Sequence, residues 1–214
     1  GDHRDLHFFP TRRSSDLVAE FGKRWYGGDT LNMAIGQGYI AVTPLEVCRF
    51  YAALANGGTL PVPHVVNSIR RPGQQAEQLT FPEGVAMAFP EEDLRRVRQG
   101  VWEGVQGSSG TGRGVKLPGI EFAGKTGTAQ DPPGIPHAWF CSWAPFDTPQ
   151  YVTTVLIERG DSGSKAAVPI TKAVYTVLFD KQGKTDNSKP ESKPTSKPIP
   201  APAVTNATDA ATAP

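Results

Sequence analysis

Four consecutive residues, Lys125-Thr126-Gly127-Thr128, combine types suited to holding an anionic, peptide-like ligand. They end an apolar stretch, residues 120–124, that predicts a β-strand. Strand alternation puts Lys125 and Gly127 on one face. Glycine leaves that face open, so a ligand backbone can lie along the strand edge as an added strand. Lys125 sets a cation beside the site, and the Thr126 hydroxyl can donate to a carboxylate. The Thr128 backbone N–H can serve as an oxyanion donor, and one such donor contributes about 3–4 kcal/mol in acyl transfer. Taken alone, the four letters fit either this binding edge or an ordinary strand end.

Other patterns carry less chemistry. Residues 107–114 approach a phosphate-binding loop, but Arg113 stands where the lysine belongs and Gly114 where the Mg²⁺-binding hydroxyl belongs. That run also follows a predicted helix rather than a strand, so it reads as a flexible connector. His3-Arg4-Asp5-Leu6 has the letters of a kinase catalytic loop, yet Pro10 replaces the required Asn and no Gly-rich loop precedes it. His3 and His7 lie four apart without the Glu of a metalloprotease helix. With His64 and His137 they form no ligand pattern, so no metal and no cofactor are expected. Cys48 and Cys141 are read as two buried small hydrophobes rather than a disulfide framework. Lys and Arg total 22 against 21 Asp and Glu, which gives no electrostatic argument for nucleic acid. No apolar run is long enough to span a bilayer.

The elements that must position the motif are legible in outline. Residues 1–17 show no period and read as a non-native, artefactual segment. The Gly-rich stretch 18–40 reads as turns. Thr43, Pro44 and Glu46 form a capping box with proline at the first helical position, ahead of an apolar helix body 45–55. Asn56-Gly57-Gly58 ends it. Residues 59–89 read as irregular strands and loops. A second helix is expected over 90–105, with Leu94, Val97, Val101 and Val105 on one face and Glu91, Glu92 and Asp93 in its first turn. Strands follow at 120–128, 138–144 and 151–158, then a closing helix near 165–179. The fold class is α+β, an antiparallel sheet flanked by helices. Residues 18–180 form the domain, and residues 181–214, rich in Lys, Ser, Thr, Pro and Ala, read as a disordered tail.

A second block of motifs changes the weight of the first. Trp25-Tyr26-Gly27-Gly28-Asp29-Thr30 precedes Ile35-Gly36-Gln37-Gly38-Tyr39 and Val42-Thr43-Pro44-Leu45-Glu46. Ala53-Leu54-Ala55-Asn56-Gly57-Gly58, Pro63-His64, Phe122-Ala123-Gly124 before the motif, and His137-Ala138-Trp139-Phe140 before Ala144-Pro145 continue the series. In this order they resemble class B penicillin-binding proteins of the elongation type, over about residues 20–180. The resemblance implies part of the penicillin-binding, serine β-lactamase-like transpeptidase fold. It implies a serine D,D-transpeptidase that cross-links peptidoglycan through an acyl-enzyme. Lys125 and Thr126 would then bind the carboxylate of a D-Ala-D-Ala stem peptide or of a β-lactam. Gly127 would allow close approach, the Thr128 N–H would form half the oxyanion hole, and Gln37 would line the cleft. A membrane glycosyltransferase would be the partner, at the periplasmic face of the inner membrane.

The departure from the family is the nucleophile. Its Ser-x-x-Lys and Ser-x-Asn pairs are not recognised in residues 18–180, and Ser162 and Ser164 beside Lys165 are set aside as wrongly spaced. Ser14-Ser15-Asp16 lacks the family context. The chain is therefore expected to be the C-terminal part of a transpeptidase domain, inactive alone, with a bare sheet edge and exposed apolar faces. The alternatives are a non-catalytic peptide- or partner-binding module, and a serine β-lactamase or D,D-carboxypeptidase relative. The Gly36-Gln37-Gly38 and Thr43-Pro44 block argues against the last.

Overall fold

The computed structural model describes residues 25–185. At its centre is a three-stranded antiparallel sheet, in which residues 137–144 form the middle strand between 123–129 and 151–157. Before it come two short antiparallel pairs, β1 (Thr59–Leu60) with β4 (Val85–Ala86) and β2 (Ser68–Ile69) with β3 (Glu77–Gln78). The central strands are β5 (Ala123–Ala129), β6 (His137–Ala144) and β7 (Tyr151–Ile157). The helices are α1 (Gly27–Ala34), α2 (Pro44–Ala55), α3 (Glu91–Gln106) and α4 (Val168–Thr185). The expected α+β class, with helices flanking an antiparallel sheet, is the one observed.

Both faces of the sheet are covered, which divides the core in two. On one face Ala123 and Trp143 pack with Leu54 and Ala55 of α2, joined by Tyr51, Leu94, Val101 and Trp102. On the other, Phe140 packs with Val105, Val115, Phe122, Ala167, Val168 and Tyr175. Strand periodicity produces the division: Phe140 and Ser142 leave β6 opposite to Cys141 and Trp143. The second face also holds a closed polar network. Tyr175 Oη donates to Ser142 O at 3.1 Å and lies 3.2–3.3 Å from the Thr153 and Ser142 hydroxyls. Burial pushes the Tyr175 phenol up to about 12, so it remains a donor.

The helix ends follow from local chemistry. Thr43 caps α2 as its sequence requires: the Thr43 Oγ1 accepts from Glu46 N (3.2 Å), and Glu46 Oε2 accepts from Thr43 N (2.7 Å). At the other end of α2 the carbonyls of Leu54 and Ala55 accept from the buried Arg98 guanidinium of α3. That cation lies over the rings of Trp143 (5.5 Å) and Phe146 (5.3 Å). One side chain therefore joins α2, α3 and the β6–β7 connection.

Three expectations are corrected. Residues 27–34, read as turns, form α1. Asp29 accepts from the Tyr26 N–H at 2.8 Å, and an acidic group in the first turn suits the helix dipole, which offsets the two glycines that begin it. The strand expected from residue 120 starts at Ala123, because Leu117 and Ile120 bridge each other in a separate turn. The closing helix starts at Val168 behind a π-helical turn, Gly163–Ala167, and runs to Thr185, five residues past the change in composition at Asp180. Among the described residues, no helix is long and apolar enough to cross a membrane.

Candidate functional site

Among the described residues β5 is an edge strand, and its free edge is where the motif residues meet other groups. The register pairs Lys125 with Cys141 and Gly127 with Trp139, so these four share one face. A cavity of about 540 Å³ opens on that face. Residues Lys125 to Ala129 line it along β5, and Ile35, Gln37, Val47 and Tyr51 line it from preceding segments of the chain. The sequence expectation that Lys125 and Gly127 line one open face therefore holds. At Gly127 a Cβ would come within 3.1 Å of Trp139 Cβ, so glycine keeps the surface low there.

The carbonyls of the edge reveal its hydrogen-bonding direction. Thr128 O accepts from Gln37 Nε2 at 3.1 Å, across 91 residues of sequence. Thr126 O accepts from Lys125 Nζ at 3.0 Å. Neither donor belongs to β6. A strand residue sends its N–H and C=O to the same side, so the Thr128 N–H leaves by the free edge as well. The Thr126 hydroxyl is 2.6 Å from that of Thr111, in the loop between α3 and β5. All five residues singled out in the sequence, Gln37, Lys125, Thr126, Gly127 and Thr128, thus lie at one cleft. Thr111 escaped the sequence reading because it lies in a Gly-rich run that resembles a connector.

That run packs closely. A Cβ at Gly110 would stand 2.5 Å from Gly104 O, and one at Gly112 would stand 2.8 Å from the Phe140 ring. The glycines let the loop fold against the C-terminal turns of α3 and against the sheet, which carries Thr111 to β5. Residues 107–112 form the expected loop, but Arg113–Val115 make a 3-10 turn, and the glycines of the run serve contact rather than looseness.

Among the described residues, the cleft offers no activated nucleophile. Cys141 lines it, but burial pushes its thiol up to about 12. Cys48 is also raised by burial. Both stay protonated near neutral pH and are poor nucleophiles. Cys141 is buried as expected, while Cys48 is only partly so. His137 accepts the Arg159 N–H at Nδ1 (3.0 Å) and turns Nε2 toward Asp131 Oδ2 (3.5 Å). It joins two turns at the end of the sheet.

Ser162-Gly163-Ser164-Lys165 does have Ser-x-x-Lys spacing. The ground for setting it aside is position, not spacing. The π-helical turn packs against the backbone of Gly127 and Trp139, and its continuation enters the core around Phe140, on the face opposite the cavity. Ser162 Oγ meets Ser164 Oγ at 3.2 Å, and Lys165 Nζ faces Asp161 Oδ2 at 3.5 Å. Hydroxyl and amine are each engaged elsewhere, so the arrangement of a nucleophile beside its base is absent from this turn.

Comparison with known proteins shows the family. Residues 10–176 match the family described as the penicillin binding protein transpeptidase domain. The chain is 31% identical over 184 residues to the peptidoglycan D,D-transpeptidase MrdA of Haemophilus influenzae, covering 76% of this chain and 27% of that protein. Its fold resembles Pseudomonas aeruginosa PBP2 in complex with WCK 5153, with TM-score 0.60 and 30% identity over 83% of this chain and 39% of the other. It also resembles PBP2 in a complex with MreC from Helicobacter pylori, with TM-score 0.62 and 30% identity over 79% and 30% of the two chains. The chain belongs to the penicillin-binding protein transpeptidase family, in its class B, elongation-type branch. It spans about a quarter of the length of the curated Haemophilus relative.

Proposed function

We propose that this chain forms the substrate-binding wall of a serine D,D-transpeptidase, which cross-links peptidoglycan stem peptides and is acylated by β-lactams. The observation that carries the proposal is the free edge of β5. There Thr128 turns its N–H and C=O outward beside the Lys125 ammonium and the Thr126 hydroxyl. A D-Ala-D-Ala terminus matches this order of groups. Its carboxylate sits at Thr126 and Lys125, its peptide lies against Gly127, and the carbonyl under attack points to the Thr128 N–H. The Thr128 carbonyl, which Gln37 occupies here, is an acceptor for a ligand amide.

On this reading the reacting serine and its lysine are supplied from outside residues 18–180. The parent acts at the extracytoplasmic face of the membrane beside a glycosyltransferase. Residues 18–180 form the core of the transpeptidase part, and the family match extends it back to residue 10; the expectations for residues 1–17 and for 186–214 lie outside the described residues. The H. pylori relative, whose solved complex includes MreC, is consistent with a place in a larger assembly. Binding and chemistry separate in one experiment. The 214-residue chain is incubated with a fluorescent penicillin, then divided between native and denaturing gels. Retention on the native gel with no covalent band is expected. A covalent adduct, at Ser162 or elsewhere, overturns the view that the nucleophile is external.

The position of Ser162 and Lys165, on the face away from the cleft, also favours a second reading. The chain would then be a non-catalytic module that only holds a peptide. An in-frame Ser-x-x-Lys upstream in the genomic sequence decides for the enzyme, and a native start near Val18 decides for the module.

A further inference from the structure

We infer that Thr111 is a positioning residue for the carboxylate site, setting the direction of the Thr126 hydroxyl proton. The inference rests on the reading of Thr126 as a carboxylate ligand. The two hydroxyl oxygens are 2.6 Å apart, so one donates to the other. A threonine hydroxyl has one proton and two lone pairs. If Thr126 gave its proton to Thr111, it would present only lone pairs to an arriving carboxylate, and the two would repel. If Thr111 donates, the Thr126 proton is free to point off the edge of β5 toward the anion. An anion in the site selects the second arrangement. It forms a chain from Thr111 through Thr126 to the carboxylate, in which each hydrogen bond polarises the next.

The surroundings of Thr111 are those of a fixed support. Gly112 is buried against Phe140 and Val105, where a Cβ would stand 2.8 Å and 3.1 Å from their side chains. Gly112 N donates to Gly104 O at 2.9 Å, and Gly110 N donates to Gly107 O at 3.1 Å. The backbone on both sides of Thr111 is therefore tied to the end of α3. α3 in turn packs on β5, where a Cβ at Gly104 would come within 2.5 Å of Gly124 O. Thr111 and Thr126 thus belong to a single packed unit, although 15 residues separate them. A floppy loop would lose the entropy of ordering Thr111 each time an anion bound, and this one does not.

The test compares N-acetyl-D-alanyl-D-alanine with its C-terminal methyl ester, titrated into the 214-residue chain and followed by ¹H–¹⁵N NMR. Thr111→Val removes the donor with little change of volume, and Thr111→Ser keeps it. The expected result is an affinity for the free acid roughly three- to tenfold lower in T111V, about unchanged in T111S, with the ester binding alike in all three. An equal loss for acid and ester in T111V overturns the proposal, because a loop that had merely moved would not distinguish them. Unchanged acid binding in T111V, where Thr126→Val weakens it, also overturns the proposal and leaves the carboxylate role of Thr126 standing. Acid binding indifferent to T126V removes the underlying reading and this inference together.

Discussion

Gly127 and Gly163 both lie against the Gly127–Trp139 pair of the sheet, but a Cβ on each would meet different atoms. A Cβ on Gly127 faces the cleft and reaches 3.1 Å from Trp139 Cβ, a contact a small shift can relieve. A Cβ on Gly163 collides with the Trp139 carbonyl oxygen and stands 2.9 Å from Gly127 O, which are backbone atoms held in the ladder. The two alanine variants should therefore separate function from stability. Gly127→Ala is expected to keep the fold and lose penicillin retention on a native gel, since a methyl group rises where the ligand backbone must lie. Gly163→Ala is expected to lose about 1–3 kcal/mol by urea denaturation, because overpacking pushes the π-helical turn off the sheet. The motif itself was legible at this scale: its residue types state the chemistry, and period two states the face. The partners of its hydroxyl and carbonyl were not. Thr111 and Gln37 reach Thr126 and Thr128 across 15 and 91 residues, and no local pattern encodes such distances.

Helix α2 shows how far local signals extend at the scale of elements. Its start was readable because Thr43, Pro44 and Glu46 satisfy their own backbone groups, and the structure reproduces each expected contact. Thr43→Ala should lower stability by about 1 kcal/mol in denaturant titration. The same box gives a pH dependence. Hydrogen bonds from the Thr43 N–H, then from its hydroxyl, hold the Glu46 carboxyl below its ordinary value. A group whose folded pKa is depressed contributes stability that is present above its unfolded value, near 4.5, and is lost as pH falls through the folded one. Melting temperature should therefore decline on acidification below about pH 4.5, and Glu46→Gln should flatten part of that decline. Exposure of Glu46 keeps the effect small. The C-terminal end of α2 was not legible. Asn56-Gly57-Gly58 announced the stop, but the carbonyls there are satisfied by Arg98, one of three arginines on α3 that the sequence alone does not tell apart. Arg98→Met leaves the buried Leu54 and Ala55 carbonyls without their charged donor. A loss of about 3 kcal/mol is expected, with Arg98→Lys recovering only part, since ammonium lacks the planar fork.

For the molecule as a whole, the unevenness of packing matters most. The sheet is covered on both faces and its buried strand β6 carries six residues with little or no exposure. Helix α1 has no buried residue at all. Leu31 and Ile35 lie one turn apart and remain 72% and 74% exposed, with Ile35 at the cavity. Sequence reading took this region for turns because its glycines outweigh its few apolar residues, and the helix is held by local contacts rather than by a core. An element of this kind opens at little cost, whereas β6 opens only with the whole fold. Amide exchange should then be fast throughout α1 and slow at Phe140 to Trp143 in the same sample. The exposed pair should also drive self-association, because water gains when two such faces meet. Sedimentation of the chain is expected to show mass rising with concentration, and Leu31→Gln with Ile35→Gln together should return it toward the monomer. If the double variant associates as strongly as the parent, the contact lies elsewhere, and the free edges of β5 and β7 become the next surfaces to block.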